Sequence, residues 1–276
     1  MKFYKMQGTG NDFIVTASFA PWASENELQA PGALAKKLCD RHFGIGADGL
    51  IIMDASAEAD AVMRIYNSDG SRPQMCGNGI RCAAKFLYDS GICPKTELRI
   101  ETDAGLKTIQ LSLEAGKVVS ARVDMGAPCF EPKRIPLKAQ SNCIELPYKD
   151  RALRFYCVSM GNPHAVTFDP IAPEDFETLG PRFEQDAVFP EKTNVEFCEC
   201  LSDSEIRVRV WERGCGETLA CGTGSCAVLA AAASQGLCKR SARLHLPGGV
   251  LSDEWKDDGR IYMTGAAETI YIGETI

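Results

Sequence analysis

The sequence of 276 residues has no long apolar run and no long run of basic residues. A membrane-spanning helix needs roughly 18 or more consecutive apolar residues, and no stretch provides them. The net charge of −7 argues against nucleic-acid binding. Residues 1–15 lack the apolar core and the small-residue cleavage site of a signal peptide. We therefore expect a cytoplasmic protein with no membrane segment and no nucleic-acid partner.

Common metal and cofactor signatures are also missing, although the chain has 13 cysteines. There is no closely spaced Cys-x2-Cys pair, which argues against a zinc site. The odd cysteine count and the missing secretion signal argue against a disulfide framework. The two Cys-Gly-x-Gly segments lack both the third glycine of the dinucleotide fingerprint and the lysine of a P-loop. We expect no metal and no cofactor, and we expect most cysteines to act as small apolar side chains.

The composition is that of a globular protein, with 45% hydrophobic and 24% charged residues. Its most informative feature is a repeat. "RIYNSDGSRPQMCGNGIRCAAKFLYDSG" (64–91) aligns without a gap on "RVWERGCGETLACGTGSCAVLAAAASQG" (209–236). Cys76 falls on Cys221 and Gly91 falls on Gly236, both at an offset of 145 residues. Less closely, "FYKMQGTGNDFIV" near the start resembles "FYCVSMGNPHAVTF" from Phe155. A duplicated domain explains a constant offset with identities on both sides of a helix.

Within each copy, a β-rich segment ends in polar residues, and Cys-Gly-x-Gly then opens a helix that a glycine closes. Strands outnumber helices, and "AVLAAAAS" is apolar on all sides, which is typical of a buried helix. We predict an α/β (α+β) fold of two similar, pseudo-symmetric domains, each a sheet wrapped around a central helix. The first comprises residues 1–121 and 266–276 and carries Cys76. The second comprises residues 122–265 and carries Cys221, with the proline-rich segment 126–142 as the crossover.

A cysteine at a helix start is suited to acid–base chemistry. The unpaired N–H groups and the dipole of the helix stabilise a thiolate and lower its pKa from about 8.5. The neighbouring glycines expose backbone N–H groups that can hold a carboxylate. We expect the two corners to face each other across a cleft between the domains. One thiolate would then remove the proton α to a bound carboxylate, and the other thiol would return a proton from the opposite side.

Such a pair needs one thiol and one thiolate, so the two sulfurs titrate jointly. Glu212 is the first candidate to set that balance, with Asn67 at the matched position of the first copy. His164, in "GNPHAV", is the second candidate. The sequence leaves open which cysteine rests as the thiolate. Cys215 is either packed or close to the site, and the segment 21–31 reads as a surface insertion before the first helix.

Seven motifs appear in the order found in the diaminopimelate epimerase family, which the sequence resembles from Met1 nearly to Ile276. They are "GTGNDFIV", "DRHFGIGADGL", "NSDGSRPQMCGNGIRC", "GNPHAV", "TNVEF", "VWERGCGETLACGTGSCA" and "LPGG". The resemblance implies two mixed α/β barrels around central helices. It also implies pyridoxal-independent interconversion of LL- and meso-2,6-diaminoheptanedioate for lysine and peptidoglycan synthesis, and a homodimer.

The resemblance also implies roles for individual residues. Cys76 and Cys221 match the acid–base pair, and His164 and Glu212 match groups that tune the thiols. The positions that match substrate contacts are Asn11, Asn67, Gly77, Asn78, Asn162, Asn194, Glu212, Arg213, Gly222 and Thr223. Among these, Gly77, Asn78, Gly222 and Thr223 match the backbone cradle for the reacting carboxylate. Arg213 can bind the distal carboxylate in a bidentate manner. The sequence departs from the family at Gly49, where some members carry a ligand-contacting glutamine, and at Cys215, where alanine is common.

Two other functions compete with this interpretation. A proline or hydroxyproline racemase on the same scaffold typically carries histidine at the position of Asn78. Asn78 and Arg213 instead favour an acyclic substrate with a second charged end. A thiol redox or metal-binding protein using its many cysteines is the third hypothesis, and it predicts bound zinc or a physiologically relevant redox potential.

Overall fold

The computed structural model describes residues 1–20 and 28–275. Its chain divides into two compact units. Unit 1 comprises Met1–Asp124 and Thr264–Ile276, and unit 2 comprises Met125–Met263. Most of the predicted insertion, residues 21–27, lies outside the described residues.

The described residues form mostly strands, with four α-helices. The helices are α1 (Pro31–Cys39), α2 (Gly77–Asp89), α3 (Phe176–Glu184) and α4 (Gly222–Ser234). The strands before residue 127 are β1 (Lys2–Gly8), β2 (Asn11–Ala17), β3 (Gly49–Asp54), β4 (Ala61–Asn67), β5 (Glu97–Thr102), β6 (Gly105–Glu114) and β7 (Lys117–Gly126). Those that follow are β8 (Cys143–Tyr148), β9 (Arg151–Ser159), β10 (Pro163–Thr167), β11 (Asn194–Ser202), β12 (Glu205–Glu212), β13 (Gly216–Thr218), β14 (Ser241–Leu246), β15 (Gly249–Trp255), β16 (Ile261–Ala266) and β17 (Glu268–Glu274).

Unit 1 is a mixed sheet that combines antiparallel and parallel pairings. β17 pairs antiparallel with β1, β1 with β2, β3 with β4, and β5 with β6. The pairs β2–β3 and β4–β5 are parallel. Parallel neighbours need a crossover connection, and here α1 links β2 to β3 while α2 links β4 to β5. Helix α2 packs against β1, β2, β3, β4, β6 and β17, so the sheet surrounds it.

Unit 2 repeats this order of pairings. β8–β9, β9–β10, β11–β12 and β14–β15 are antiparallel, whereas β10–β11 and β12–β14 are parallel. Helix α3 makes the first parallel crossover and α4 makes the second. Helix α4 packs against β9, β10, β11, β14 and β15. The predicted fold class, a mostly stranded α/β protein of two sheet-and-helix units, is confirmed.

The four helices match in pairs at the offset of 145 residues seen in the sequence. Helices α2 and α4 both have 13 residues, and α1 and α3 both have nine. Gly91 and Gly236 follow the two longer helices with positive φ values of 77° and 70°, a backbone conformation that glycine adopts without steric cost. Their N–H groups donate to Tyr88 O and Ala233 O, which are themselves matched residues.

The central helices are buried for different reasons. The apolar α4 buries nearly its whole length, from Gly224 to Ala232, as its sequence predicts. Helix α2 is amphipathic, yet it also buries Arg81 completely. None of the helices in the described part of the chain is long and apolar enough to cross a membrane.

Candidate functional site

Cys76 caps helix α2 in unit 1. Its backbone is extended, with φ −139° and ψ 119°, and its sulfur accepts a hydrogen bond from the Gly79 N–H at 3.4 Å. The thiol also donates to Asn11 Oδ1 at 3.7 Å. Asn11 is held in turn by Asp48, whose Oδ2 accepts from Asn11 Nδ2 at 2.5 Å. The end of β2 nearest the turn therefore presents an oriented amide to the first cysteine.

The other predicted site residues of unit 1 lie at the ends of neighbouring elements. Gly77 and Asn78 form the first turn of α2, and the Asn78 side chain is buried and accepts from Arg81 Nη2 at 3.0 Å. Asn67 ends β4, and its Nδ2 donates to Ser71 Oγ at 3.0 Å. Because Asn78 is held from inside the helix, its backbone N–H rather than its amide is suited to meet a ligand.

Cys221 caps helix α4 in unit 2 in the same way. Its backbone has φ −121° and ψ 115°, and its sulfur accepts from the Gly224 N–H at 3.4 Å. The sulfur lies 3.5 Å from Thr223 Oγ1, which accepts from Asn162 Nδ2 at 3.2 Å. Asn11 and Asn162 thus serve the same purpose in the two units, the first directly and the second through Thr223. Gly222 follows Cys221 as the first helical residue.

A buried pair extends this chain of polar contacts. His164 Nε2 lies 3.0 Å from Asn162 Oδ1, and His164 Nδ1 lies 2.6 Å from Glu196 Oε1. The His164 and Glu196 side chains are both completely buried. The parallel register of β10 and β11 brings these two residues together, although they are 32 positions apart in the sequence.

Glu212 lies at the end of β12 and is tied to Cys221. Its carboxylate accepts from Thr218 Oγ1 at 2.6 Å. Burial raises the pKa of Glu212, while hydrogen bonds with Thr218 and Cys221 oppose that rise. The adjacent Arg213 is exposed. Its N–H donates to Asn194 Oδ1 at 2.9 Å, so the two predicted substrate-contact residues are locked together.

The pKa of Cys221 departs from the expectation for a helix cap. Burial raises the pKa of this thiol well above its ordinary value, and the charges of Glu212 and Glu196 raise it further. Hydrogen bonds from Thr223 and Gly224 lower it, but by less. Only 7% of Cys221 is exposed, so the loss of solvation outweighs the stabilisation that the helix start provides.

Several other cysteines are buried thiols away from these contacts. Burial raises the pKa of Cys39 to about 11 and that of Cys82 to about 12. Burial also raises the pKa values of Cys157 and Cys198. A thiol that stays protonated at neutral pH is a poor nucleophile and a poor metal ligand. These side chains therefore act as apolar packing groups.

Two residues of the site are not apparent from the sequence as site residues. Asp48 lies in "GADGL" and Glu196 in "TNVEF", both among the quoted motifs, but an acidic residue beside a glycine or within a strand usually faces solvent. The strand also contains the exposed Glu199, so its sequence does not show that Glu196 is the buried acid. The segment 44–49, "GIGADG", has the spacing Gly-x-Gly-x-x-Gly, but it leads into strand β3 and does not open a helix, so it lacks the context of a dinucleotide site.

A family model and two relatives of similar sequence carry one name. The family model for diaminopimelate epimerase matches residues 3–131 and 156–270. A diaminopimelate epimerase from Methanococcus maripaludis (strain C5) is 47% identical over 279 residues, which cover 99% of each chain. One from Desulfitobacterium hafniense is 47% identical over 277 residues, covering 99% of this chain and 97% of the relative.

A solved structure is similar in fold alone. The probable proline racemase from Agrobacterium radiobacter K84 matches with a TM-score of 0.71 at 17% identity, covering 100% of this chain and 92% of the other. The sequence relatives, by contrast, match nearly the full length at more than twice that identity. The chain belongs to the diaminopimelate epimerase family.

Proposed function

We propose that this protein is a diaminopimelate epimerase, an isomerase that inverts one α carbon of 2,6-diaminoheptanedioate without a cofactor. The observation that carries the proposal is a pair of matched helices. Each helix is capped by a cysteine, and the sulfur of that cysteine accepts a hydrogen bond from a backbone N–H. The family and the near-full-length relatives named for this activity support the choice of substrate. The reaction belongs to lysine and peptidoglycan precursor synthesis, and its proposed location is the cytoplasm.

In the proposed mechanism, Cys76 and Cys221 flank the α carbon. The thiolate of one takes the α proton, and the electron pair left on carbon is stabilised by N–H groups that hold the carboxylate. The thiol of the other delivers its proton to the opposite face, which inverts the centre. The two sulfurs have then exchanged protonation states, so the reverse reaction uses the same groups in exchanged roles.

The backbone N–H groups at the start of each helix are suited to hold a carboxylate in place. Gly77 and Asn78 in unit 1, and Gly222 and Thr223 in unit 2, carry first-turn N–H groups, which favour an anion. Arg213 is the proposed partner of the distal carboxylate, since its guanidinium is exposed while its backbone is held by Asn194. The remaining proposed substrate contacts are Asn11, Asn67, Asn162, Asn194 and Glu212.

Exchange of the α hydrogen with deuterated water tests this function. Purified protein should incorporate deuterium into diaminopimelate and invert it. Cys76→Ala and Cys221→Ala should each slow inversion by at least about 10²-fold, because each removes an acid–base group. Cys93→Ala, outside the site, is the control and should retain the rate. Turnover of proline with none of diaminopimelate would establish the racemase alternative instead.

The duplication and its boundaries are part of the proposal. The repeated pairing order and the equal lengths of the matched helices support two domains derived from one, with boundaries near residues 121 and 265. Limited proteolysis that cuts in the connection 127–131, with the fragments remaining folded, is the expected result. Cleavage inside α2 or α4 at the same rate would contradict it.

A homodimer is the proposed assembly. The strand β17 exposes Ile270, Tyr271 and Ile272, an apolar group of the kind that marks an interface. Light scattering should give twice the chain mass of 30.0 kDa. Ile270→Lys together with Ile272→Lys should give a monomer if β17 forms the interface, and an unchanged dimer would place the interface elsewhere.

A further inference from the structure

Each central helix has a glycine in its first turn, close to the capping cysteine. The atoms around that glycine therefore describe the surroundings of the cysteine. A methyl group placed on Gly79, in unit 1, would lie 3.1 Å from Ile51 Cδ1 and 3.4 Å from Cys76 Cβ. The first cysteine therefore has an aliphatic side chain next to its helix start. Ile51 is completely buried in strand β3.

In unit 2, a carboxylate lies beside the matched glycine, at the position that the aliphatic side chain occupies in unit 1. A methyl group on Gly224 would lie 2.9 Å from Glu196 Oε1 and 3.3 Å from Cys221 Sγ. Because both atoms lie within 3.3 Å of one point, the sulfur and the carboxylate oxygen are separated by less than twice that distance. Ile51 and Glu196 differ by the repeat offset of 145 residues, so one position holds an aliphatic group in unit 1 and an acid in unit 2.

The fold does not require this acid. The residues of unit 1 that match His164 and Glu196 are Phe13 and Ile51, which are both apolar. Phe13 pairs with Gly49 in the β2–β3 register, just as His164 pairs with Asn194 in the β10–β11 register. Phe13 and Ile51 are both buried. Burying a carboxylate costs several kcal/mol even when it is partnered. Because isoleucine occupies the matched position in unit 1, the buried acid Glu196 indicates a role other than packing.

Glu196 is also incompletely satisfied. Its Oε1 meets His164 Nδ1 at 2.6 Å, but its Oε2 has no hydrogen-bond partner among the described residues. The charge is therefore held in a fixed place beside the start of α4 and is little screened by solvent. The electric field of this carboxylate reaches the Cys221 sulfur past Gly224, which has no side chain to separate the two groups.

Other ionisable groups lie on β12 and on the elements that pack on α4. Glu212 approaches from β12 and forms a hydrogen bond with Cys221, and His164 approaches from β10. The remaining groups are Cys226 on α4 itself, Cys157 on β9, Asp253 on β15, and Arg243 and His245 on β14, which both pair with Glu205.

We propose that Glu196 is a positioning residue that keeps Cys221 in its thiol form in the resting enzyme. This inference rests on the proposed function and deepens it, because it assigns the resting roles of the two sulfurs. The two-base mechanism requires one thiol and one thiolate, so Cys76 is then the base that removes the first proton. Among the described residues Glu196 forms no hydrogen bond with the Cys221 sulfur, and it acts through its field and through the orientation of His164.

The direction of the electrostatic effect agrees with this assignment. Burial raises the pKa of Cys221 well above its usual value, and the negative charges of Glu212 and Glu196 raise it further. Of those two carboxylates, Glu212 has a pKa that is itself raised by burial. Glu196 differs from Glu212 in its partner, because its Oε1 lies 2.6 Å from His164 Nδ1.

Alkylation of Cys221 across a pH series tests the proposal without any substrate. The measurement uses full-length protein in a Cys76→Ser background, so that Cys221 titrates without a coupled partner. Iodoacetamide adducts are assigned to Cys221 by fragment ions and quantified against time. In Glu196→Gln the midpoint of the alkylation rate should move to lower pH by about one unit or more, because a close buried charge has been removed.

Matched variants separate the charge from the packing. Glu196→Asp keeps the charge and should keep the midpoint near that of the parent. Ile51→Val alters the matched site in unit 1 and should leave the Cys221 midpoint unchanged. Should Glu196→Gln not fold, Glu196→Ile, which installs the residue of unit 1, answers the same question.

An unchanged midpoint in the folded charge-removed variant would overturn the role of Glu196. That result differs from failure of the proposed function, which would appear as absence of deuterium exchange into diaminopimelate by the unmodified protein. A shifted midpoint in a protein that does not epimerise diaminopimelate would uphold the electrostatic role and reject the substrate.

Discussion

Single side chains distinguish two units that otherwise share one plan. Phe13 and Ile51 of unit 1 correspond to His164 and Glu196 of unit 2, and Asn67 corresponds to Glu212. Each change replaces an apolar or neutral side chain with an ionisable one, and all of them lie in the unit that carries Cys221. The matched corners therefore share a backbone plan, and differences at a few side chains make their chemistry unequal.

Asp12 gives a prediction at this scale, because ion pairs hold it in its charged form. Burial disfavours that charge, but hydrogen bonds from Arg41 and Lys5 prevail and lower the pKa of Asp12 to about 2. A lowered pKa contributes stability that is present above the unfolded value, 3.8, and is lost as the pH falls towards 2. Asp12→Asn should therefore lower the free energy of unfolding by about 1–2 kcal/mol at neutral pH.

Urea denaturation at several pH values measures that loss. The difference between wild type and Asp12→Asn should shrink as the pH falls from about 4 towards 2, because the unfolded carboxylate takes up a proton near 3.8 whereas the folded one keeps its charge until about 2. Asp257→Asn is the control, because an exposed ion pair such as Asp257–Arg240 contributes little at any pH. A difference that stays constant from neutral pH to pH 2 would rule out the ion pairs as its source.

The sequence identified the cysteines and asparagines of the candidate site because they belong to short motifs with fixed spacing. It could not identify Glu196, since a strand sequence such as "NVEFCE" does not reveal which side chains are buried. That depends on the register of β10 against β11, which brings His164 to Glu196. The pKa of Cys221 was likewise unpredictable, because a helix start and burial act in opposite directions and only coordinates show which is larger.

At the scale of elements, the shorter helices repeat as faithfully as the longer ones. Helices α1 and α3 match at the offset of 145 residues, although their sequences, "PGALAKKLC" and "FETLGPRFE", share little. Sequence comparison missed this pair because helices on the outside of a sheet need only an apolar face. The offset also changes to 151 at Phe13 and His164, since the connections that follow β2 and β10 differ in length.

Helix α3 packs so closely on β12 that a side chain at its glycine, Gly180, would clash with the strand. A methyl group on Gly180 would lie 2.4 Å from Trp211 Cδ2, and the Trp211 ring is fixed by the bond from Nε1 to Glu184 Oε2 at 3.0 Å. Gly180→Ala should therefore destabilise the protein by about 1–3 kcal/mol, despite the better helix propensity of alanine. Thermal unfolding and Trp fluorescence report the effect.

Thr178→Ala, at an exposed position of the same helix, is the matched control and should change stability by no more than about 0.5 kcal/mol. Equal stability of Gly180→Ala and the wild type would mean that Trp211 moves aside readily, and that α3 is not held at this contact.

At the scale of the whole molecule, unit 1 is discontinuous in the sequence. Its last strand, β17, pairs with β1 along most of its length, from Lys2↔Glu274 to Gln7↔Glu268. Gly273 lies against the Phe3 ring, where a methyl group would come within 2.5 Å. The carboxyl-terminal strand therefore completes a sheet that begins at the amino terminus.

Removing residues 268–276 should loosen unit 1 while leaving unit 2 intact. Hydrogen–deuterium exchange should show lost protection in β1, because its amides lose their partner strand, and unchanged protection in β8 and β9. Thr275→Ala, which retains β17, is the control. Unchanged protection of β1 after the deletion would show that β2 alone suffices to hold it.

The two ends of the chain also touch. The Met1 amino group donates to Thr275 Oγ1 at 2.7 Å, and the Thr275 N–H donates to Met1 O at 2.9 Å. A circular permutant could join these ends through a short linker and open the chain in the segment 127–131. Such a rearranged gene would encode unit 2 and then unit 1, each as one uninterrupted stretch, which would allow either half to be produced and studied by itself.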